Sequence, residues 1–176
     1  LHIDAHADLR NSYQGFHHSH ASIMRNVSEL KVHPQKIVQV GIRDFCREEY
    51  DYIKSQPQLL QTYFDREVKS ALASGRNWQT ICEEIVSHLP RNVYISFDID
   101  GLSPEFCPHT GTPVAGGLSF DQALDLLRTL GRSGKKIVGF DLNEVVHGKN
   151  SDWDGNVGAR ILYKMCGWAA KTNHWL

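Results

Sequence analysis

Two short acidic clusters, far apart in the chain, carry the residues best suited to chemistry. They are Asp4-Ala5-His6-Ala7-Asp8 near the start and Ser96-Phe97-Asp98-Ile99-Asp100-Gly101 past the midpoint. Residues two apart in a strand face the same way, so Asp4, His6 and Asp8 can converge from one segment and Asp98 and Asp100 from another. Carboxylates with a single imidazole suit Mn²⁺, or Ni²⁺ or Co²⁺, better than a thiolate-seeking ion. So many carboxylates in one place repel one another and resist desolvation unless cations sit among them. A lone Asp-x-His would read more simply as an acidic turn capping a helix. The second cluster shifts the balance toward a pair of metal ions. Two cations about 3.5–4 Å apart lower the pKa of a shared water and aim the resulting hydroxide at an electron-poor carbon, which is hydrolytic chemistry.

The flanking residues extend this pattern. Residues 96–119 read SFDIDGLSPEFCPHTGTPVAGGLS, with Pro104, Gly111, Thr112, Pro113 and the Gly116-Gly117 pair in fixed order, and Asp141-Leu142-Asn143-Glu144-Val145 follows further on. Together these segments resemble the signatures of the ureohydrolase family, which includes arginase, agmatinase, guanidinobutyrase and formimidoylglutamase. The resemblance runs from Leu1 to about Cys166. It implies a three-layer αβα fold with a mainly parallel sheet. It also implies two Mn²⁺ ions bridged by Asp4 and Asp98, with His6 and Asp100 on one ion and Asp8 on the other. The substrate it implies is a guanidino compound, held at its cation by charge-assisted hydrogen bonds to Glu144 and split into urea and an amine by the bridging hydroxide. A homotrimer or homohexamer is implied as well.

His20 is the residue marked for proton transfer to the leaving amine. His20-Ala21-Ser22 resembles the family's His-Gly-[Thr/Ser] stretch, departing from it at Ala21, and imidazole titrates near neutrality as a shuttle requires. His17 and His18 leave a histidine-rich surface loop as the alternative. His109 is read as a solvated loop side chain. Arg10, in Leu9-Arg10-Asn11-Ser12, is either a partner for a substrate carboxylate or a solvated cation, and would be a poor neighbour for the cationic end of agmatine. Agmatine- or arginine-like substrates are placed first and formimidoylglutamate second.

No Gly-Gly-x-His motif, whose histidine completes one metal site in the family, occurs in the chain, and Leu1 opens it within a strand pattern. Residues 1–176 are therefore expected to form the C-terminal part of a single arginase-like domain. A non-catalytic remnant that keeps the fold and binds metal is the alternative from another class.

Composition excludes several classes. The chain of 176 residues is 41% hydrophobic and 22% charged with a net charge of −1, which leaves no electrostatic footprint for nucleic acid or an anionic membrane. No apolar run approaches the ~20 residues a bilayer span needs. Cys46, Cys82, Cys107 and Cys166 are scattered without zinc or C-x-x-C spacing, favouring reduced, packed thiols and a cytoplasmic location.

The elements that must position these residues alternate between strand and helix patterns, which implies an α/β fold. Strands are expected over 1–4, 37–41, 59–64, 93–98 and 136–145. Helices are expected over 47–55, through 73 from a cap at Asp65, over 78–88 from a cap at Asn77, through 130 from Ser119 or Asp121, and over 156–168. That order brings both clusters to the carboxyl ends of strands, where open α/β sheets bind ligands.

Overall fold

A computed structural model describes residues 1–175. Five parallel strands form one sheet: β1 (His2–Ile3), β2 (Ile37–Ile42), β3 (Leu60–Phe64), β4 (Asn92–Asp98) and β5 (Lys136–Asn143). Their spatial order is β3-β2-β1-β4-β5, so the chain winds outward from β1 in one direction and then returns to its other side. The point of reversal lies between β1 and β4, where Ile3 pairs with Phe97. Asp4 and Asp98 are thus the next residues along two neighbouring strands.

Helices cover both faces, giving three layers. On one face α3 (Asp65–Ala73), α4 (Trp78–Ser87), α5 (Phe120–Arg132) and α6 (Trp153–Thr172) close over a core of Ile3, Val40, Ile95 and Phe97 with Ile85, Leu126 and Ile161. On the other, α1 (Ile23–Ser28) and α2 (Arg47–Ser55) cover Ile37, Ile42, Leu60 and Phe64. That second layer stops short of β4 and β5, where Tyr94 and Val138 are 52% and 58% exposed.

Local chemistry accounts for the helix starts. The Asn77 side chain accepts from the Gln79 amide, and Ser119 and Gln122 form a reciprocal capping box at α5. Asp65 is not the cap expected of it. Phe64 occupies that position, and Asp65 lies in the first turn, where its charge still favours the positive end of the helix. The last helix starts three residues earlier than the apolar spacing suggests and runs four residues longer, to Thr172. β5 ends at Asn143 rather than at 145, because Glu144 turns into the left-handed region at φ +58°. Helix α1 was not legible, since its apolar residues are few and it spans six residues. Among the described residues no helix is long and apolar enough to cross a membrane.

Candidate metal centre

The two acidic clusters do meet, but turns and not strand alternation bring them together. β1 ends at Ile3, and Asp4 to Asp8 run on past it, held by one bridge between His6 and Asp44 and by a left-handed Asp8 at φ +55°. Asp98 closes β4 and caps a 3-10 turn over Ile99–Gly101, its Oδ1 accepting from the Asp100 amide at 2.9 Å. That turn swings Asp100 back over β1, where its Oδ1 accepts from the Ala5 amide at 3.0 Å.

Close backbone approach makes this possible. A Cβ at Gly101 would lie 2.8 Å from the Asp4 nitrogen and 3.0 Å from Ile3 Cγ2. Only glycine lets the second cluster's turn lie against the first cluster's strand.

A cavity of about 150 Å³ opens at the carboxyl end of the sheet, and Asp4, His6, Asp8, Asp98, Asp100, His20 and Glu144 all line it. Every site residue expected from the sequence therefore faces one space. Asp4 and Asp100 are buried, His6 and Asp8 half-buried, and His20 and Glu144 exposed at the mouth. His6 Nδ1 lies 3.1 Å from Asp100 Oδ2 and 3.4 Å from Asp4 Oδ1. Asp4, His6 and Asp100 each offer a ligand atom within 4.8 Å of the others, as do His2, Asp4 and Asp8. Those spacings suit single ions bonded at roughly 2 Å. Asp98 lines the cavity but joins neither trio.

The electrostatics are those of crowded carboxyls. Burial, then the Asp4 charge, pushes Asp8 up to about 7. Burial, with Asp4 and Asp100 nearby, pushes Asp98 up to about 9. Asp4 feels the same burial, but its contacts with His2 and His6 outweigh it and hold the carboxyl well below the usual carboxylate range. Hydrogen bonds to Asp100 and Asp4 raise His6 to about 11, so its proton sits between two carboxylates as a cation would. The donor set fits divalent metal: oxygen-rich, with one imidazole, mutually repulsive and already clustered.

The outer parts of the site differ from expectation in instructive ways. His20 begins the 3-10 turn before α1 and packs edge-on to Tyr13 at 5.5 Å between centroids. The Thr110 hydroxyl donates to the Glu144 carbonyl at 3.0 Å, fixing the residue whose φ ends β5. His109 is not simply solvated: its amide and Nδ1 both engage the fully buried Asp154, at 2.9 and 2.7 Å. Arg10 is not free either. Its Nε lies 3.7 Å from the buried Glu49 and its guanidinium over the Tyr13 ring. The cysteines are unpaired, with Cys82 and Cys107 buried, as a packing role implies, but Cys166 exposed. Sequence reasoning missed His2 and Glu49. His2 shares a strand face with Asp4 two residues on, which was a usable signal, whereas Glu49 reaches the site from the third position of α2 and carried none.

Comparison with known proteins points to one family. The model described as "Arginase family" matches residues 1–167. N(1)-aminopropylagmatine ureohydrolase of Synechocystis is 34% identical over 94% of this chain and 50% of its own length. Agmatinase of Halalkalibacterium halodurans is 37% identical over 82% of this chain and 46% of its own. Among solved structures, agmatine ureohydrolase of Thermoplasma volcanium superposes with a TM-score of 0.80 at 29% identity, covering 98% of this chain and 55% of that one. The chain spans about half the length of the relatives it matches.

Proposed function

The chain belongs to the arginase family, and from that premise we propose that it carries most of the active site of a cytoplasmic, homo-oligomeric hydrolase of guanidino compounds. Because it spans about half of its relatives, residues 1–176 are read as the C-terminal part of one arginase-like domain. The carrying observation is convergence: both acidic clusters, His20 and Glu144 line one cavity at the switch point of a parallel sheet.

In this reading Asp4, His6, Asp8, Asp98 and Asp100 hold two divalent cations, Mn²⁺ first. When bound, such a pair supplies a water activated at neutral pH and neutralises charge that develops during attack. Glu144 holds the substrate's guanidinium by charge-assisted hydrogen bonds and so fixes the carbon in place. Its left-handed backbone, tied by Thr110, turns the side chain off the strand line at the cavity mouth. His20, exposed at the same mouth, hands a proton to the departing amine nitrogen.

The tail of the substrate is read from Arg10. Its neighbours Glu49 and Tyr13 occupy the guanidinium, leaving it less available to a substrate carboxylate. That supports an agmatine-like substrate over guanidinobutyrate or formimidoylglutamate, and both sequence relatives described above are named for agmatine or an aminopropyl derivative of it. The test is the full-length protein with Mn²⁺ against agmatine, aminopropylagmatine, arginine, guanidinobutyrate and formimidoylglutamate, scoring urea and formamide. Urea from an agmatine is expected; formamide alone would favour the formimidoylglutamase reading, and neither product would favour a non-catalytic metal-binding remnant.

A further inference from the structure

His2 lies two residues before Asp4 on the same face of β1, is 2% exposed, and has both ring nitrogens engaged. Nε2 is 2.9 Å from Asp4 Oδ2, and Nδ1 is 3.1 Å from Gln39 Nε2. By distance alone His2 is a metal ligand, one of the trio with Asp4 and Asp8. The hydrogen-bond chain behind it argues otherwise.

Gln39 is 0% exposed, and its amide is fixed from two sides. Nε2 donates to the Ala7 carbonyl at 2.8 Å, and Oε1 accepts from the Thr62 hydroxyl at 2.9 Å. Flipping the amide would set its oxygen against the Ala7 oxygen, two acceptors facing each other. The second Nε2 hydrogen therefore points at His2 Nδ1, which has to accept it. The ring proton is left on Nε2, and it is donated to Asp4. A lone pair on Nε2 for a cation would need the proton on Nδ1, facing the donor it now accepts from.

We propose that His2 is a positioning residue for the metal centre, locked by the Thr62–Gln39 pair as the Nε2–H tautomer so that it orients Asp4 and does not itself bind the cation. This rests on the metal-site reading above and deepens it. One oxygen of Asp4 is held by His2 while the other, Oδ1, turns toward His6 and the Asp100 side. Among the described residues, the Asp8 side then has carboxylates but no nitrogen ligand from this chain. Outer hydrogen bonds of this kind fix ligand orientation and commonly change metal affinity by about 10- to 100-fold.

The test has two arms on the whole chain. Long-range ¹H–¹⁵N spectra of the imidazoles should show His2 protonated on Nε2 in the metal-free protein and still so after adding diamagnetic Zn²⁺. A proton on Nδ1, or loss of the Nε2 proton when Zn²⁺ binds, would overturn the proposal by making His2 a ligand. In calorimetric Mn²⁺ titration, His2→Leu should weaken binding by about 10- to 100-fold and His2→Gln, whose amide donates from a similar reach, should recover most of it. Equal weakening in both variants, or none in His2→Leu, would overturn it. Should His2→Leu fail to fold, the half-buried Thr62→Val releases the Gln39 amide and should give mixed His2 tautomers with weaker Mn²⁺ binding; an unchanged tautomer and affinity would dissolve the relay. Wild-type protein that binds no Mn²⁺ would instead defeat the metal-site reading, leaving the metal-free tautomer to decide the His2 geometry.

Discussion

Gly101→Ala should damage fold and metal binding together. The added Cβ would sit 2.8 Å from the Asp4 nitrogen and 3.1 Å from its Cα, where ordinary contact begins at 3.4 Å. The two segments must therefore part by about 0.6 Å, because the nearest atom, the Asp4 nitrogen, is backbone that no rotamer change can move. Overpacking of this kind costs about 1–3 kcal/mol. In a chain this long, each kcal/mol lowers the melting temperature by about 2–4 °C, so a drop on the order of 4–8 °C is expected from a mid-range cost. The same displacement moves Asp4 relative to His6 and Asp100, so Mn²⁺ should bind at least tenfold more weakly. Thermal unfolding and Mn²⁺ calorimetry on the two proteins read both effects. A variant with unchanged stability and unchanged Mn²⁺ affinity would refute the close approach on which the site's construction rests.

Three further outcomes are expected. Asp100→Asn should keep the fold, because an amide oxygen can still accept from Ala5, yet lose Mn²⁺ affinity and, in the full-length enzyme, lower kcat far more than it changes KM; unchanged metal content and kcat would make the second cluster structural. Among the described residues the Asp8 side has carboxylates but no free nitrogen ligand once His2 is engaged by Gln39, so Mn²⁺ calorimetry should show one stronger and one weaker event, and two equally tight events would contradict that division. Burial pushes the thiols of Cys82 and Cys107 up to about 12 from 9.0, so they keep their protons when folded and ionise earlier when unfolded. Thiol reagents at pH 8 should accordingly label exposed Cys166 ahead of these two, and stability should fall as pH rises from 9 toward 12; fast labelling of Cys82, or no loss of stability over that range, would show that the core is open there.

Much of the framework could be read from the chain because local and global signals agree. Alternating apolar residues of β4 fill the core at Val93, Ile95 and Phe97, and Arg47–Ser55 forms a helix over the residues its pattern indicated. The residues that line the cavity were legible, but their means of convergence was not. Strand alternation suggested a shared face, whereas a left-handed Asp8 and the 3-10 turn after Asp98 shape the two segments, with Gly101 of that turn lying close against Asp4 and His6 bridged to Asp44. Partners supplied by distant segments were likewise hidden: Asp154 for His109, Glu49 for Arg10 and Gln39 for His2 lie 45, 39 and 37 positions away. No spacing rule reaches that far. The early end of β5 at Glu144 had a similar cause, since the hydroxyl that ties the turn comes from Thr110.

The most direct measurement is anomalous diffraction at the manganese edge from crystals grown with Mn²⁺. A peak is expected about 2 Å from ligand atoms of Asp4, His6 and Asp100, with a weaker one toward Asp8 and Asp98. Manganese bound elsewhere, or a cavity whose five residues hold none at saturating Mn²⁺, would contradict a metal centre built from the two acidic clusters.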